Sequence, residues 1–310
     1  MGGVVNRLVI ICLLALLSTP LNGFRASAQS CAASPVAVQV LGSGGPRANP
    51  FRSSTSYLLW VGGQAKVLVD MGGGAHHRFG QAQAKIEDLS MVAISHLHPD
   101  HVSDLPALLW LSNQVRKEPL PIVGPSGNDS APNFSTFLSR LFDEKNGAFQ
   151  VLGSTLGGKQ SEGGGVRLDV SVVDVTKSEP STVFDRQGLT VTAFGIPHGN
   201  MPTLAYRVQT GDASIVFSSD QNGSNPEFVK FAKGANVLIM HLNLPAGAKR
   251  LLESHAPPTV VGRIARDASI GRLIVSHIGP FDLDAAITEL KEVYTGPLIV
   301  GADMQCTPVR

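Results

Sequence analysis

A cluster of metal-binding residue types follows one apolar segment of the chain. Residues 91–94 predict a buried strand, and the pattern His-x-His-x-Asp-His then places His96, His98, Asp100 and His101 within six positions. Side chains alternate along a strand, so His96 and His98 point the same way at its end, before a predicted helix over residues 102–111. Zinc favours this mixture of nitrogen and oxygen ligands, and a catalytic zinc site keeps one position for water. The pattern therefore predicts a metal site at a strand end.

Further candidate ligands share the same kind of position, because each one ends an apolar segment that predicts a strand. These residues are His198 after residues 191–197, Asp220 after 215–219, His241 after 237–240 and His277 after 273–276. Any one of them alone would be an ordinary turn residue. One site shared with the first cluster explains all of them together.

The amino-terminal residues have the pattern of a signal peptide. Arg7 supplies a positive charge, residues 8–17 are apolar, and Ala26-Ser27-Ala28 resembles a cleavage site with small residues. The apolar segment is short for a membrane span, so an uncleaved anchor is the less favoured alternative. We expect residues 1–28 to be removed and residues 29–310 to form one domain that is periplasmic or secreted.

The charge of the chain argues against two kinds of partner, nucleic acids and anionic membranes. The chain has 25 basic and 24 acidic residues, and the predicted signal segment removes two basic residues, so the mature net charge is about −1. No bulk attraction to nucleic acid or to an anionic membrane follows from that charge. We therefore expect no nucleic-acid partner and no membrane partner after signal cleavage, and the sequence leaves a homodimer open.

Two cysteines remain after the predicted cleavage. Cys31 and Cys306 lie near opposite ends of the mature chain, and an exported protein reaches an oxidising compartment. We expect them to form a disulfide that ties the termini together, with two unpaired thiols as the alternative. A loop of this length stabilises a fold by up to about 5 kcal/mol in the chain-entropy description.

The order of predicted elements indicates an α/β fold. Strands are predicted over residues 35–41, 56–61, 66–70 and 91–95, and then several times between residues 166 and 300. Helices are predicted between them, for example over residues 131–142, 258–268 and 283–294. This order fits one layered domain of two similar halves, with helices covering packed sheets. Residues 147–165 are rich in glycine and predict a mobile loop or hairpin, with a lid over the site as one alternative.

The chain resembles the metallo-β-lactamase superfamily, because His-x-His-x-Asp-His is the main signature of that family and the later candidates follow in its order. The resemblance implies a four-layer αβ/βα sandwich with a dinuclear metal site at one edge. It implies that each metal has three ligands of its own and that one carboxylate bridges them. The ligands so implied are His96, His98 and His198 for one metal, Asp100, His101 and His277 for the second, and Asp220 as the bridge.

The resemblance also implies a cofactor and a reaction. We expect two Zn²⁺ ions, although Mn²⁺ or iron would accept the same ligands. A hydroxide that bridges the metals would be the nucleophile, and a small anionic ester would be the substrate. The candidate catalytic residues are Asp100 and His255. The segment around His198 and Tyr206-Arg207 is similar to the ribonuclease Z branch, where a histidine matching His255 protonates the leaving oxygen.

Three departures from that branch restrict the substrate. Only 22 positions separate His198 from Asp220, so the long substrate-gripping arm is absent. No second acid stands next to Asp220, and His241 is followed by Leu242-Asn243 where the branch often has His-Glu. We therefore predict an exported hydrolase of small phosphodiesters or aryl sulfate esters. The alternatives are a lactonase or β-lactamase-type hydrolase, which the bridging aspartate argues against for β-lactams, and a non-catalytic metal-binding protein.

Overall fold

The computed structural model describes residues 1–2, 31–158 and 164–310. The predicted signal segment, residues 1–28, lies almost entirely outside these ranges. Among the helices that the described ranges contain, none has the length and apolar character needed to cross a membrane.

The strands form two sheets of seven strands each within the described part of the chain. They are β1 (Val36–Gly42), β2 (Ser56–Val61), β3 (Gln64–Val69), β4 (Met91–Ala93), β5 (Leu120–Pro125), β6 (Leu168–Val173), β7 (Ser181–Arg186), β8 (Leu189–Ile196), β9 (Thr203–Thr210), β10 (Ala213–Phe217), β11 (Val237–His241), β12 (Leu273–Ser276), β13 (Leu298–Val300) and β14 (Cys306–Pro308).

Helices cover the outer faces of both sheets. The α-helices are α1 (Ala75–Gln81), α2 (Pro99–Val102), α3 (Leu105–Leu109), α4 (Phe134–Phe142), α5 (Glu227–Ala232), α6 (Pro258–Asp267) and α7 (Leu283–Lys291). The longest 3-10 helix among the described residues is Gln150–Leu156.

The two sheets have matching topology. The first has the order β14-β1-β2-β3-β4-β5-β6 and the second has the order β13-β12-β11-β10-β9-β8-β7. In the first sheet β3 to β6 are parallel, and in the second β10 to β13 are parallel. The remaining neighbours in both sheets are antiparallel. The two halves therefore have the similarity that the sequence predicts.

Three apolar layers hold the sandwich together. Strand β1 contributes side chains to two of these layers. Val38 and Val40 lie between the two sheets, and Ala37 and Leu41 belong to the cluster under the first helical layer. Both faces of the sheet are thus buried, and such strands read as almost continuous apolar runs. A third cluster packs α5, α6 and α7 on the second sheet. This arrangement confirms the four-layer αβ/βα sandwich.

The chain termini meet on the first sheet. Strand β14 pairs antiparallel with β1, with Gln39 opposite Cys306. Cys31 and Cys306 form a disulfide with their Cα atoms 5.5 Å apart, which confirms the predicted pairing. The last strand therefore returns to the half of the molecule in which the first strand lies.

The structure corrects two predicted segments. The helix expected over residues 102–111 is divided into α2 and α3, because the Asp104 backbone N–H donates to the Met71 carbonyl at 2.9 Å instead of continuing the helix. In the loop expected over residues 147–165, the 3-10 helix Gln150–Leu156 is present, since Leu152 and Thr155 are buried. Residues 159–163 lie outside the described ranges, so the alternative of a lid remains a prediction.

Strand geometry places the candidate residues at one edge of the sandwich. Strands β3 and β4 are parallel and so are β10, β11 and β12, so their carboxyl ends meet at the same side. The loops at this edge carry Asp70, the His96–His101 segment, Asp220 and His277, and His241 is the last residue of β11. The fold therefore brings together residues that are distant in sequence.

Candidate metal centre

The His-x-His-x-Asp-His segment begins in the core and ends at the edge of the sandwich. His96 and His101 are fully buried, while His98 is partly exposed. The carbonyl of Ser95 accepts a 2.9 Å hydrogen bond from the N–H of Leu204 on β9, so this segment also joins the first sheet to the second. The two sheets thereby fix the position of the segment from both sides.

Three imidazoles converge at the first half of the site. The Nδ1 atom of His98 lies 3.0 Å from Nε2 of His96 and 3.4 Å from Nε2 of His198. Burial, followed by neighbouring imidazoles, lowers the pKa of His96 well below its usual value, and burial lowers the pKa of His98. Neutral imidazole is the form that binds a metal ion.

The second half of the site contains another group of potential ligands. His101, Asp220, His241 and His277 each present an atom within 4.8 Å of the others. Asp100 also reaches this group, because its Oδ2 lies 3.1 Å from Nε2 of His277 and 3.7 Å from Nε2 of His101. Two carboxylates and three imidazoles therefore border the second half.

Asp220 lies between the two halves. Its Oδ2 is 3.9 Å from Nε2 of His96 and 3.6 Å from Nε2 of His198, and its Oδ1 is 3.3 Å from Nε2 of His277. Burial disfavours the carboxylate, but His277, the His241 hydrogen bond and His101 outweigh it and hold the pKa of Asp220 well below its usual value. This side chain is therefore an anion placed to bridge two cations.

A buried ring nitrogen of His101 indicates that the site is built for a cation. Nε2 of His101 is buried and, within the described part of the chain, has no hydrogen-bond partner. Burial opposes protonation of His101, but Asp70, Asp220 and Asp100 outweigh it and raise the pKa of His101 to about 9. The carboxylates around His101 thus favour a positive charge at this position, and a divalent ion on the free Nε2 would supply it.

Hydrogen bonds fix which nitrogen of each ring faces the centre. Nδ1 of His101 donates to Oδ2 of Asp70 at 2.8 Å, and Nδ1 of His198 donates to the Ser254 carbonyl at 2.7 Å. In both rings Nε2 is then the atom left for a metal. From the sequence, Asp70 was placed only at the end of the predicted strand 66–70, although an acid at a strand end was the available signal.

His241 has both ring nitrogens occupied. Its Nδ1 lies 2.6 Å from Oδ1 of Asp220, which accepts because its carboxylate is ionised. Nε2 therefore accepts from the Tyr57 hydroxyl at 2.9 Å. Burial lowers the pKa of His241 to about 3, despite the hydrogen bond to Asp220, so the ring is neutral. These hydrogen bonds link Tyr57, His241 and Asp220 and leave neither nitrogen of His241 free for a metal. Asp100 is therefore favoured over His241 as a metal ligand.

The turns that carry the site adopt uncommon backbone conformations. Asp70, Ser219 and His277 are not glycines, yet their φ angles are 59°, 51° and 53°. Residues other than glycine rarely adopt positive φ, and such positions concentrate at functional sites. Close approach adds a second constraint, because a Cβ at Gly45 would lie 2.8 Å from Cε1 of the His277 ring. The loop after β1 therefore packs directly on one of the candidate ligands.

His255 lies at the open side of the site. Its Nδ1 is 4.0 Å from Oδ2 of Asp220, and its side chain is 13% exposed. The amide nitrogen of Asn243 donates to its Nε2 at 3.3 Å, so Nδ1 carries the ring proton. Burial lowers the pKa of His255 to about 4, although Asp220 acts in the opposite direction. The neutral ring thus presents an N–H group toward the bridging carboxylate.

All of the residues predicted for the site lie together in the structure. They are His96, His98, Asp100, His101, His198, Asp220, His241, His255 and His277. The other histidines of the described ranges are His76 and His77, which are exposed on α1. The structure adds Tyr57, Asp70, Asn243 and the Ser254 carbonyl, which the sequence did not identify as partners.

Comparison with known proteins identifies the family. A family model described as a beta-lactamase superfamily domain matches residues 66–278. A ribonuclease Z from Mycobacterium bovis (strain BCG / Pasteur 1173P2) is 25% identical over 293 residues, which cover 88% of this chain and 98% of that protein. The short form of human tRNase Z has a TM-score of 0.69 at 21% identity and covers 88% of this chain and 99% of its own. A diphosphatase of the PhnP family has a TM-score of 0.61 at 15% identity, with coverages of 89% and 98%. The chain belongs to the metallo-β-lactamase superfamily.

Proposed function

We propose that this metal-dependent hydrolase is exported and cleaves small phosphodiesters with two Zn²⁺ ions. One observation carries the proposal. The Asp220 carboxylate is shared by two groups of imidazoles, and the N–H of His255 faces it from the open side of the site. With two metal ions bound, this arrangement would surround a single substrate position with two cations and one hydrogen-bond donor.

In this proposal, each metal has three ligands of its own. His96, His98 and His198 would hold the first, and the second would be held by Asp100, His101 and His277, with Asp220 between them. When bound, the two ions would activate a water molecule and neutralise charge that develops on the attacked ester. Imidazole and carboxylate ligands suit zinc, and they also accept manganese or iron, so elemental analysis of the purified protein decides the metal.

The charge of the loaded site favours an anionic substrate. Two divalent ions would carry four positive charges. The ligands Asp100 and Asp220 supply two negative charges, and Asp70 behind His101 supplies a third. The net charge of the loaded site is therefore positive, and the residues around it are buried. A phosphodiester brings one negative charge and two non-bridging oxygens to such a site. The names of the relatives, ribonuclease Z and diphosphatase, support chemistry at phosphorus.

His255 is placed to assist the leaving group. Asn243 occupies its Nε2, so the N–H at Nδ1 points toward the substrate position next to Asp220. A donor at this position stabilises the negative charge that forms on the leaving oxygen. We therefore expect His255→Ala to slow methyl phenyl phosphate more than methyl 4-nitrophenyl phosphate, because phenolate is the poorer leaving group. An equal loss on both diesters would show that His255 has no such role.

A short connection between His198 and Asp220 supports a small substrate over transfer RNA. The connecting residues form the hairpin of β9 and β10, with Ala213 paired to Thr210 at its turn. This hairpin lies within the sheet and has no room in its sequence for a separate RNA-binding arm. A near-neutral mature charge also gives no bulk attraction to a polyanion.

A substrate panel tests the proposed reaction. Metal-replete protein is assayed with bis(4-nitrophenyl) phosphate, 4-nitrophenyl sulfate, a homoserine lactone, nitrocefin and a precursor transfer RNA. We expect turnover of the phosphodiester and a loss of at least about a hundredfold in Asp220→Asn, because the bridging charge is removed. Asp212→Asn, in the exposed turn of the same hairpin, is the matched control and should retain activity. Turnover confined to the sulfate, the lactone, nitrocefin or the RNA would each replace the phosphodiester assignment.

Export rests on a separate pair of observations. Residues 1–28 have the charge and apolar pattern of a signal peptide, and the disulfide between Cys31 and Cys306 suits an oxidising compartment. Sequencing the amino terminus of the protein recovered from cell fractions tests this proposal. A mature terminus near residue 29 outside the cytoplasm supports export, and an intact Met1 in the cytoplasm contradicts it.

A further inference from the structure

A cleft of about 780 Å³ opens beside the metal centre. His255 and Asn243 line its inner end, so it begins where the N–H of His255 faces the substrate position. Its walls come from the loop after β1, the segment between β11 and α6, and the turn after β12. A leaving group that receives the His255 hydrogen bond would therefore extend into this cleft.

The charge of the cleft has one sign. Arg47, Lys249 and Arg250 are among its lining residues, and no aspartate or glutamate is. Within residues 31–158 and 164–310, none of these three cations forms an ion pair or a side-chain hydrogen bond. Such pairing is available nearby, because Arg78 lies 3.2 Å from Asp303 on the other side of the loop after β1. The positive charges of the cleft are therefore unpaired, whereas the charge of Arg78 is neutralised by Asp303.

The remaining walls of the cleft are apolar. Phe281, Leu244 and Leu251 line it together with prolines and alanines. Leu251 is 55% exposed, so its side chain adds accessible apolar surface to the lining of the cleft. The cleft therefore combines an apolar surface with unpaired cations, as a site for an organic anion does.

The loop that carries the two neighbouring cations is held at both ends. The N–H of Gly247 donates to Oε2 of Glu289 at 2.6 Å. The Leu251 carbonyl accepts from the N–H groups of Ser254 and His255 at 3.1 and 2.9 Å. Lys249 and Arg250 lie between these anchors, so their backbone is positioned before any substrate binds, which lowers the entropic cost of binding.

We propose that this cleft selects phosphodiesters whose leaving group has an apolar body and a negative charge of its own. The inference rests on the proposed function, because it concerns the substrate of the same site. The diester anion would bind at the metal centre, the apolar body would contact Phe281 and Leu251, and the second anion would lie between Arg47, Lys249 and Arg250. A neutral leaving group of the same shape would fill the cleft without using these cations.

Two matched substrates test this selection. Methyl 4-(2-carboxyethyl)phenyl phosphate and its carboxamide analogue have the same shape, and two methylene groups insulate the phenol from the charge. We expect KM for the carboxylate to be about three- to fivefold lower at low salt, which is the range for partly exposed ion pairs. The preference should disappear near 1 M salt, because salt screens exposed charges.

Variants connect the preference to these residues. In the triple variant Arg47→Gln, Lys249→Gln, Arg250→Gln, the ratio of KM values should fall to about one. Arg140→Gln removes an exposed arginine on α4 and should leave the ratio unchanged. A ratio of one in the parent protein, or a preference that persists in the triple variant, would overturn the inference.

A binding measurement separates this inference from the proposed reaction. The corresponding benzylphosphonate methyl esters replace the scissile oxygen by CH₂ and are not hydrolysed. Calorimetry with metal-replete protein measures their dissociation constants without turnover, and we expect the same three- to fivefold preference, about the effect of an exposed ion pair. Hydrolysis of neither diester would reject the proposed function, whereas equal binding of the two phosphonates would reject only the charge selection.

Discussion

Removing one buried hydroxyl should weaken metal binding without removing any metal ligand. Tyr57 donates at 2.9 Å to Nε2 of His241, and His241 donates at 2.6 Å to Asp220. Tyr57→Phe keeps the ring but leaves Nε2 of His241 buried without its donor. An unsatisfied buried polar group costs about 1–3 kcal/mol. Losing a group that orients a ligand typically costs about 10- to 100-fold in metal affinity, and tenfold corresponds to about 1.4 kcal/mol.

The measurement compares stability with metal affinity. Urea unfolding of the metal-free protein gives the first quantity, and competition with a fluorescent zinc chelator gives the second. We expect Tyr57→Phe to lower both, because the same hydroxyl supports the fold and holds Asp220 in place.

Another tyrosine supplies the control. Tyr294 is 5% exposed, and its hydroxyl donates to the Pro297 carbonyl at 3.3 Å, away from the metal centre. Tyr294→Phe should lower stability and leave zinc affinity unchanged. If Tyr57→Phe behaves in the same way as Tyr294→Phe, the chain through His241 does not position the bridging carboxylate.

Other substitutions test separate parts of the structure. Cys306→Ser should lower the free energy of unfolding by up to about 5 kcal/mol in a denaturant titration, and an unchanged value would show that the disulfide adds nothing. Asp70→Asn should weaken zinc binding by about 10- to 100-fold in chelator competition, because the amide cannot replace the charged acceptor of His101. Gly45→Ala should lower the zinc content below two ions per chain by elemental analysis, since its Cβ would meet the His277 ring. A full complement of zinc in Gly45→Ala would contradict the reasoning on close approach.

Much of the fold could be predicted from local sequence patterns. Strand β2 occupies the predicted residues, and α6 and α7 begin where the pattern predicted them, because apolar runs and helix periodicity report local burial. Strand β5 was not predicted, and its Pro121 and Pro125 are residues that rarely stand inside a sheet. The structure nevertheless places β5 between β4 and β6. Pairing with neighbours outweighed the local preference at that segment.

The chemistry of the site was also largely accessible from sequence. His96, His98, Asp100 and His101 are close in the chain and follow a strand, so their convergence needs only the local geometry of a strand end. Asp220 was recognised through the family resemblance and through its position after an apolar run. The cleft beside His255 was not predicted, because its cations come from two loops that no short pattern connects.

The sequence alone determined which residue types stand at the strand ends, and therefore that this protein would build a site for metal ions. Only the tertiary structure decided which nitrogen of each ring faces the centre. His198 is fixed by Ser254, 56 residues away, and His241 by Tyr57, 184 residues away. A hydrogen bond depends on distance and direction in space, and neither is encoded in the local pattern around a histidine. That is the physical reason why ligands were found from the sequence while the groups that orient them were not.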